Sequence, residues 1–579
     1  MAFGTVMSAT ISGIHVEMIH VEADVSNGLP MFSMVGYLSS EVKEAGERVR
    51  TALKNEGFEY PVKKIIINLS PATVRKRGAI FDLPIAISIM ISAGQIPQKK
   101  VNDILIVGEL GLDGKILNVN GILAMVMEAK ESGIRACIVP KENEEEARLV
   151  EGVEVYGFSR TREVYEFLLS GKFGRGKGVK SDAELELKGK VKSKDESEAL
   201  LELKGKVKSK HESDVLLELK GKARNGYESE VGSERESKTV DFSDIFGQRA
   251  VKRAAEIAVT GGHNLLLIGP PGSGKSLIAG AMKEILPTLD NHESMEITKI
   301  YSIMGLLKKG RPLITSPPFR AVHHTATKTS LVGGGKIPRI GEITLAHKGI
   351  LYLDELPEFA RAVIEVLRQP LEDKSIQISR TSGTYVFPAD FILVCAMNPC
   401  PCGMYPDLEK CSCSPSQITH YLGKISQPFL DRIDLCVEVP RLRYEDLKDG
   451  GKEESGGEGS ESRENGERKS EREGSESSKE VRKRVVAARQ IQKVRYKDST
   501  INGGLSPKEV QKYCALNREG EEMMERAYNK LHLTARSYHK ILKVARTIAD
   551  MDGCQDVLPK HLREAIAFRT LDKKYWGGN

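Results

Sequence analysis

The eight residues Gly269 to Ser276, GPPGSGKS, constrain this chain most, because they directly follow the apolar run Leu265 to Ile268 and precede a helical run. Holding a phosphate takes small residues whose backbone N–H groups converge on oxygen, a helix N-terminus, a Lys for the β and γ phosphates and a hydroxyl for Mg²⁺. Gly269, Pro270, Pro271, Gly272, Ser273, Gly274, Lys275 and Ser276 provide that set. A plain Gly-rich turn is the bland alternative, and context argues against it. Residues 349–355, GILYLDE, form a second apolar strand ending in two carboxylates. Asp354 is expected to hold Mg²⁺ through water, and Glu355 to polarise an attacking water. Both motifs at strand ends imply a nucleotide-hydrolysing α/β fold.

At 579 residues the chain has room for about four compact units. Hydrophobic residues at 40% exclude a wholly disordered chain. With 86 Lys+Arg against 80 Asp+Glu, the net charge of +6 marks out no partner, so any basic surface is local. The N-terminus lacks the basic and apolar regions of a secretory signal, and the longest apolar stretch, Leu83 to Ala93, is too short to span a bilayer. No membrane association and a cytoplasmic location are expected.

Two segments divide the chain. Residues 173–238 repeat the phrase LELKGK from Leu185, Leu201 and Leu217 and read as a solvated linker, with a short repeat array as the alternative. Residues 445–480 contain a run from Gly450 to Ser478 with no apolar residue and read as a disordered acidic insertion. Residues 1–172 alternate β-type runs (Lys64 to Leu69, Ile104 to Val107, Ala136 to Val139) with helical stretches (Ser39 to Asn55, Leu83 to Ser92, Leu123 to Ser132). Residues 239–444 hold four apolar runs, Leu265 to Ile268, Ile350 to Leu353, Phe391 to Val394 and Leu435 to Val439, which predict a parallel, doubly wound sheet. Residues 481–579 read as helical, with a capped start at Ser506, Pro507 and Glu509 and a stop at Gly553.

In order along the chain, GPPGSGKS, LYLDELPEF, AMNPCPCG and FLDRIDL resemble the AAA+ ATPases of the magnesium-chelatase-like group, the YifB/ComM family. The resemblance implies a C-terminal helical lid, ATP and Mg²⁺ as cofactors, and a homo-oligomeric ring, most often a hexamer. It implies that Asn398 senses the γ-phosphate or the lytic water. It also implies that Arg432 is an arginine finger reaching a neighbour's ATP, and that Arg536 is a second sensor at the start of a lid helix. A turn Asn and a surface ion pair are the structural alternatives. The activity implied is that of a DNA helicase promoting branch migration during natural transformation. A chelatase motor inserting Mg²⁺ into porphyrin is the runner-up, and a protein-remodelling ATPase a third reading.

The long interval between Lys275 and Asp354 contains residues 319–349, where Gly333 to Gly335 and Pro338 interrupt any helix, matching the helix-two insertion of related motors. A second hairpin is predicted from Ile376 to Phe387, turning at Thr381 to Gly383. Lys374, Arg380, Lys336 and Arg339 on these pieces are candidate phosphate-backbone contacts, or ordinary solvated charges. His323 and His324 read as structural, with no acidic or Cys partner at metal spacing. Cys400, Cys402, Cys411 and Cys413 offer four thiolates to a Zn²⁺, although their C-x-C spacing is tight; a Pro/Gly-rich turn with reduced cysteines is the alternative.

The N-terminal part resembles the Lon-type protease fold as it occurs in this family, through GAIFDLPIA and GELGLDGKILNVNGIL. Ile85 and Met125 stand about where the resemblance places a nucleophilic Ser and its Lys, so no acyl chemistry is expected. The presence of this domain favours the DNA reading over the chelatase one.

Overall fold

The computed structural model describes residues 3–170, 240–335, 339–380, 383–441, 476–497 and 499–576. The LELKGK linker, the acidic insertion up to residue 475, Lys336, Pro338 and the turn residues Thr381 and Ser382 lie outside these.

The central sheet has five strands, in the order Phe319–Val322, Ile350–Leu353, Ile392–Met397, Leu265–Ile268, Leu435–Glu438. Every neighbouring pair is parallel. A strand buried on both faces must be apolar at every position, and Leu265–Ile268 divides accordingly: Leu265 and Leu267 enter one core, Leu266 and Ile268 the other. Four of the strands coincide with the apolar runs in the sequence. The fifth, Phe319–Val322, corrects the expectation that residues 319–349 are all insertion. It pairs in register with Ile350–Leu353 at the sheet edge, where Arg320 and Ala321 need not be apolar.

The helices Ser478–Tyr496, Pro507–Tyr513, Arg518–Leu531, Ala535–Met551 and Pro559–Trp576 share a core with the sheet, since Val485, Val510, Ile541 and Ala545 pack with Leu265, Val259 and Met282. The start at Pro507 is a capping box: Ser506 Oγ accepts the Glu509 N–H, and the Glu509 carboxylate accepts the Ser506 N–H at 2.7 Å.

The N-terminal residues form a seven-stranded mixed sheet, ordered Met31–Val35, Lys64–Ser70, His15–Ser26, Gly4–Ser12, Ile104–Ile106, Ala136–Pro140, Glu154–Phe158. Lys64–Ser70, His15–Ser26 and Gly4–Ser12 pair antiparallel in that order at its centre, and parallel pairs flank these three strands. The stretch Ser39 to Asn55 is two helices, Ser40–Lys43 and Ala45–Asn55, rather than one. Ile85 and Met125 are buried core residues.

This sheet is joined to the central unit. The Gly121 N–H donates to Ser302 O at 3.0 Å, and Ser302 Oγ bonds Glu146. The turn at Gly13 lies so close to Tyr385 that a Cβ there would stand 2.9 Å from its ring.

His263 follows the helix Arg249–Gly261, is fully buried, and places Nε2 2.7 Å from Thr547 Oγ1. Burial lowers its pKa from 6.5 to about 4. Between those values an unfolded chain takes up a proton that the folded one refuses, so the stabilisation is complete above pH 6.5 and is lost as the pH falls toward 4. Thermal melts across that window should show the wild type losing on the order of 2 kcal/mol more than His263→Gln.

Candidate nucleotide site

Parallel strands deliver all their following loops to one edge, and the C-terminal edge of the central sheet collects the motif residues. Ile268 pairs with Met397, so Gly269 and Asn398 leave the sheet side by side, and the Gly269 N–H donates to Met397 O at 3.1 Å. Gly272 and Gly274 have φ of 74° and 89°, in the left-handed region that a side chain would strain. The helix Lys275–Ile285 starts at Gly274 with no side-chain cap, so its first N–H groups face the loop's concave side. Such a nest carries partial positive charge and suits phosphate oxygens.

Lys275 is largely buried, and its ammonium donates to Gly269 O at 2.8 Å, Pro270 O at 2.9 Å and Asn398 Oδ1 at 3.1 Å. Burial lowers its pKa, against the pull of Asp354 and Glu355. Ser276 Oγ donates to Asp354 Oδ2 at 2.8 Å, and the Tyr352 hydroxyl donates to Ser276 Oγ at 3.1 Å. Hydroxyl and carboxylate oxygens this close form a hard donor pair of the type Mg²⁺ takes together with a substrate phosphate. Ser273 contributes its carbonyl, which accepts from Gln248 Nε2 at 2.8 Å, and Pro271 packs against Gly403.

Glu355 has φ 52° and ψ 49°, an uncommon backbone for a side-chain-bearing residue, and its N–H donates to Asp354 Oδ1 at 2.9 Å. His324 Nδ1 lies 3.2 Å from Glu355 Oε2, a partner 31 residues away that sequence spacing does not indicate. The register explains the meeting. Val322 pairs with Leu353, and each residue stands two positions beyond its strand's paired end. His323 is exposed to hydrogen-bond Thr325 Oγ1 at 3.0 Å. A cavity of about 650 Å³ opens beside Glu355, Asn398, His420 and Lys424.

Arg432 and Arg536 are elsewhere. Arg432 precedes the strand Leu435–Glu438 and so lies at the N-terminal edge of the sheet. It is buried, with Nη2 2.8 Å from Glu372 Oε1 and Nε donating to Arg368 O at 3.1 Å. Arg536, at the start of Ala535–Met551, brings Nη2 within 3.1 Å of the same Glu372 oxygen. A cavity of about 760 Å³ adjoins both, bordered also by Lys374, Asp431 and Lys540. Tyr352, Gln248 and Glu372 carry no motif signal, and only spatial pairing finds them.

Both hairpins form, Gly333–Gly334 with Arg339–Ile340 and Ser375–Arg380 with Gly383–Pro388. Arg380 Nε donates to Gly335 O at 3.3 Å, so their ends adjoin. Arg339 is exposed on the first hairpin. Lys374 sits at the base of the second and is engaged by Asp390 at 3.0 Å rather than presented at its tip. The sulfurs of Cys400, Cys402, Cys411 and Cys413 lie within 4.8 Å of one another. No helix among the described residues is long and apolar enough to cross a membrane.

Comparison with known proteins accords with this architecture. A family model described as magnesium chelatase, subunit ChlI, matches residues 241–447. Models described as subunit ChlI of Mg-chelatase and as its C-terminal part match 21–143 and 475–569. The chain is 37% identical over 572 residues to competence protein ComM of Haemophilus influenzae, covering 99% of this chain and 98% of that protein. It is 36% identical over 576 residues to the uncharacterized protein YifB of Escherichia coli, covering 99% and 98%. A Lon protease of Trichlorobacter lovleyi is 23% identical over 147 residues, 24% of this chain and 18% of that one. The fold is therefore an AAA+ doubly wound parallel sheet with a C-terminal helical lid and an N-terminal Lon-protease-like α/β domain, and the chain belongs to the magnesium-chelatase-like YifB/ComM family.

Proposed function

We propose that this chain is an ATP-hydrolysing ring motor that acts on DNA. In this reading the Gly269 to Gly274 loop cradles the phosphates, and Lys275 turns from its carbonyl partners to the β and γ oxygens. Ser276 and Asp354 hold Mg²⁺, which neutralises phosphate charge when it arrives with the nucleotide. Glu355 orients and deprotonates the attacking water, and Asn398 positions it. Arg432 and Arg536 serve the nucleotide of an adjacent chain, giving up the Glu372 carboxylate for phosphate oxygens.

One observation carries the ring: the phosphate loop and Arg432 flank opposite edges of a parallel sheet. The paired residues Leu265 to Ile268 span on the order of 10 Å, and Arg432 starts beyond their far end, so it cannot reach its own chain's phosphates. A guanidinium placed there completes another copy's site or none. Residues 239–444 as a motor unit and 481–579 as its lid fit this division of labour, with residues 1–172 as an inactive companion domain.

DNA as the substrate draws support from the two adjoining hairpins and from near full-length similarity to a protein named for competence. Helicase action with branch migration is the specific form proposed, with Arg380 and Arg339 as backbone contacts. The chelatase reading draws support from the family descriptions. One of these covers residues 21–143, so the N-terminal domain does not separate the two readings.

ATP turnover and particle size should be measured with and without forked or four-way DNA. Branched DNA should stimulate turnover, and Glu355→Gln should lower it by about 10²–10⁴-fold. Indifference of the wild type to every DNA form would remove DNA from the proposal. The shared site has its own test. Lys275→Ala and Arg432→Ala should each be inactive alone, yet their mixture should recover a substantial fraction of turnover, because some junctions pair an intact loop with an intact Arg432. No recovery from co-assembled variants, or full activity of Arg432→Ala, would overturn it.

A further inference from the structure

The loop that joins the strand Ile392–Met397 to the helix Pro415–Leu422 has almost no core of its own. Among the described residues between Cys400 and Tyr421, only Gly403 is buried. Leu408 is 78% exposed, so apolar packing does not explain a defined loop. What converges inside it is sulfur. Cys400 Sγ lies 3.4 Å from Cys402 Sγ and 3.8 Å from Cys411 Sγ, and Cys402 lies 3.6 Å from Cys411. Cys413 completes a group whose four ligand atoms fall within 4.8 Å of one another. Four thiolates at about 2.3 Å from a central Zn²⁺ form a tetrahedron with edges of about 3.8 Å. A disulfide would need about 2.05 Å, and all four cysteines are free.

The tight C-x-C spacing is met by backbone geometry. Gly403, at φ 79°, donates its N–H to Cys400 O at 3.0 Å, folding the first pair back on itself. Asp407 closes the second turn: its carboxylate accepts the N–H groups of Glu409 and Lys410, and its carbonyl accepts that of Cys411 at 2.8 Å. The Tyr405 N–H points at Cys400 Sγ at 3.4 Å, the outer-shell support that an anionic sulfur takes.

We propose that Cys400, Cys402, Cys411 and Cys413 hold one structural Zn²⁺, and that this site braces the loop against the phosphate-binding turn. The contact is direct: a Cβ on Gly403 would stand 2.4 Å from Pro271 Cδ. Asn398, the Lys275 partner, lies two residues before the first ligand. The metal site stands on the sulfur geometry alone; its effect on nucleotide affinity rests on the function proposed above.

The full chain, purified under reducing conditions with no added metal, should contain about one zinc per polypeptide. Folded Cys411→Ser and Cys413→Ser variants, checked by circular dichroism, should retain less than about a tenth of it, and Cys554→Ser, outside the cluster, should retain all of it. Removing zinc from the wild type should shift the emission of Trp576, the chain's one tryptophan. Its ring neighbours Tyr575, which meets the loop's Tyr405 with centroids 6.1 Å apart. A fluorescent ATP analogue should then bind at least about tenfold more weakly. A folded, metal-free wild type with four reduced thiols, or with a disulfide among them, would overturn the site. Zinc whose removal leaves both Trp576 emission and analogue affinity unchanged would overturn the brace. Failure of the zinc-loaded wild type to bind any nucleotide would count against the ATP reading instead.

Discussion

A parallel strand has a direction, and five parallel strands give this unit two chemically different edges. At the edge where strands end, backbone N–H groups, a lysine and two carboxylates gather without long-range coincidence, because each merely follows its strand in register. At the other edge, residues preceding strands gather in the same way, and Arg432 is one of them. The separation follows from hydrogen-bond register and cannot be relaxed by a side-chain rotation. In the proposed motor, a site that needs groups from both edges would therefore lie between chains.

The electrostatics of each edge are self-contained in the single chain. The Lys275 ammonium is satisfied by two carbonyls and Asn398, and Asp354 by Ser276 and the Glu355 N–H. At the opposite edge one oxygen of Glu372 serves both Arg432 and Arg536. Buried or partly buried charges need such partners, since an unpaired one costs several kcal/mol. In the proposed motor a phosphate at either edge would substitute for an existing acceptor, which keeps the change in desolvation small while the geometry is redirected.

Much of this was legible in the sequence, for a physical reason. Four core strands are apolar at every position but Glu438, the last residue of Leu435–Glu438, because both faces are covered, and the phosphate loop needs glycines where φ is positive. The fifth strand was not legible: at an edge, Phe319–Val322 carries Arg320, which pairs with Glu342 at 2.7 Å, so its apolar signal is diluted. Missing that strand also hid His324, whose meeting with Glu355 is a consequence of parallel pairing. Tyr352 and Glu372 escaped because a single tyrosine inside a strand, or a glutamate on a helix, has no local signature. Lys374 had a basic signature, but Asp390, which engages it, is sixteen positions on and visible only in three dimensions.

The N-terminal domain shows how a fold can remain useful with Ile85 and Met125 where nucleophile and base are expected. Its helix Ile122–Glu131 begins beside Ser302, and Glu146 joins that serine to the Leu123 N–H, fixing the end of Asn291–Ile303. From that helix Glu296 reaches His347 at 3.3 Å, and the adjacent Lys348 pairs with Asp390 at 2.9 Å, the same carboxylate that holds Lys374 at the base of the second hairpin. The Gly13 turn meets Tyr385 on that hairpin's other strand. The domain thus supports the hairpin at its base through a chain of hydrogen bonds that ends in the Lys348–Asp390–Lys374 ion pairs, and at its flank by contact with an aromatic ring. Both supports require well-packed strands and turns and neither requires a catalytic group, so the buried apolar side chains of Ile85 and Met125 suit the brace.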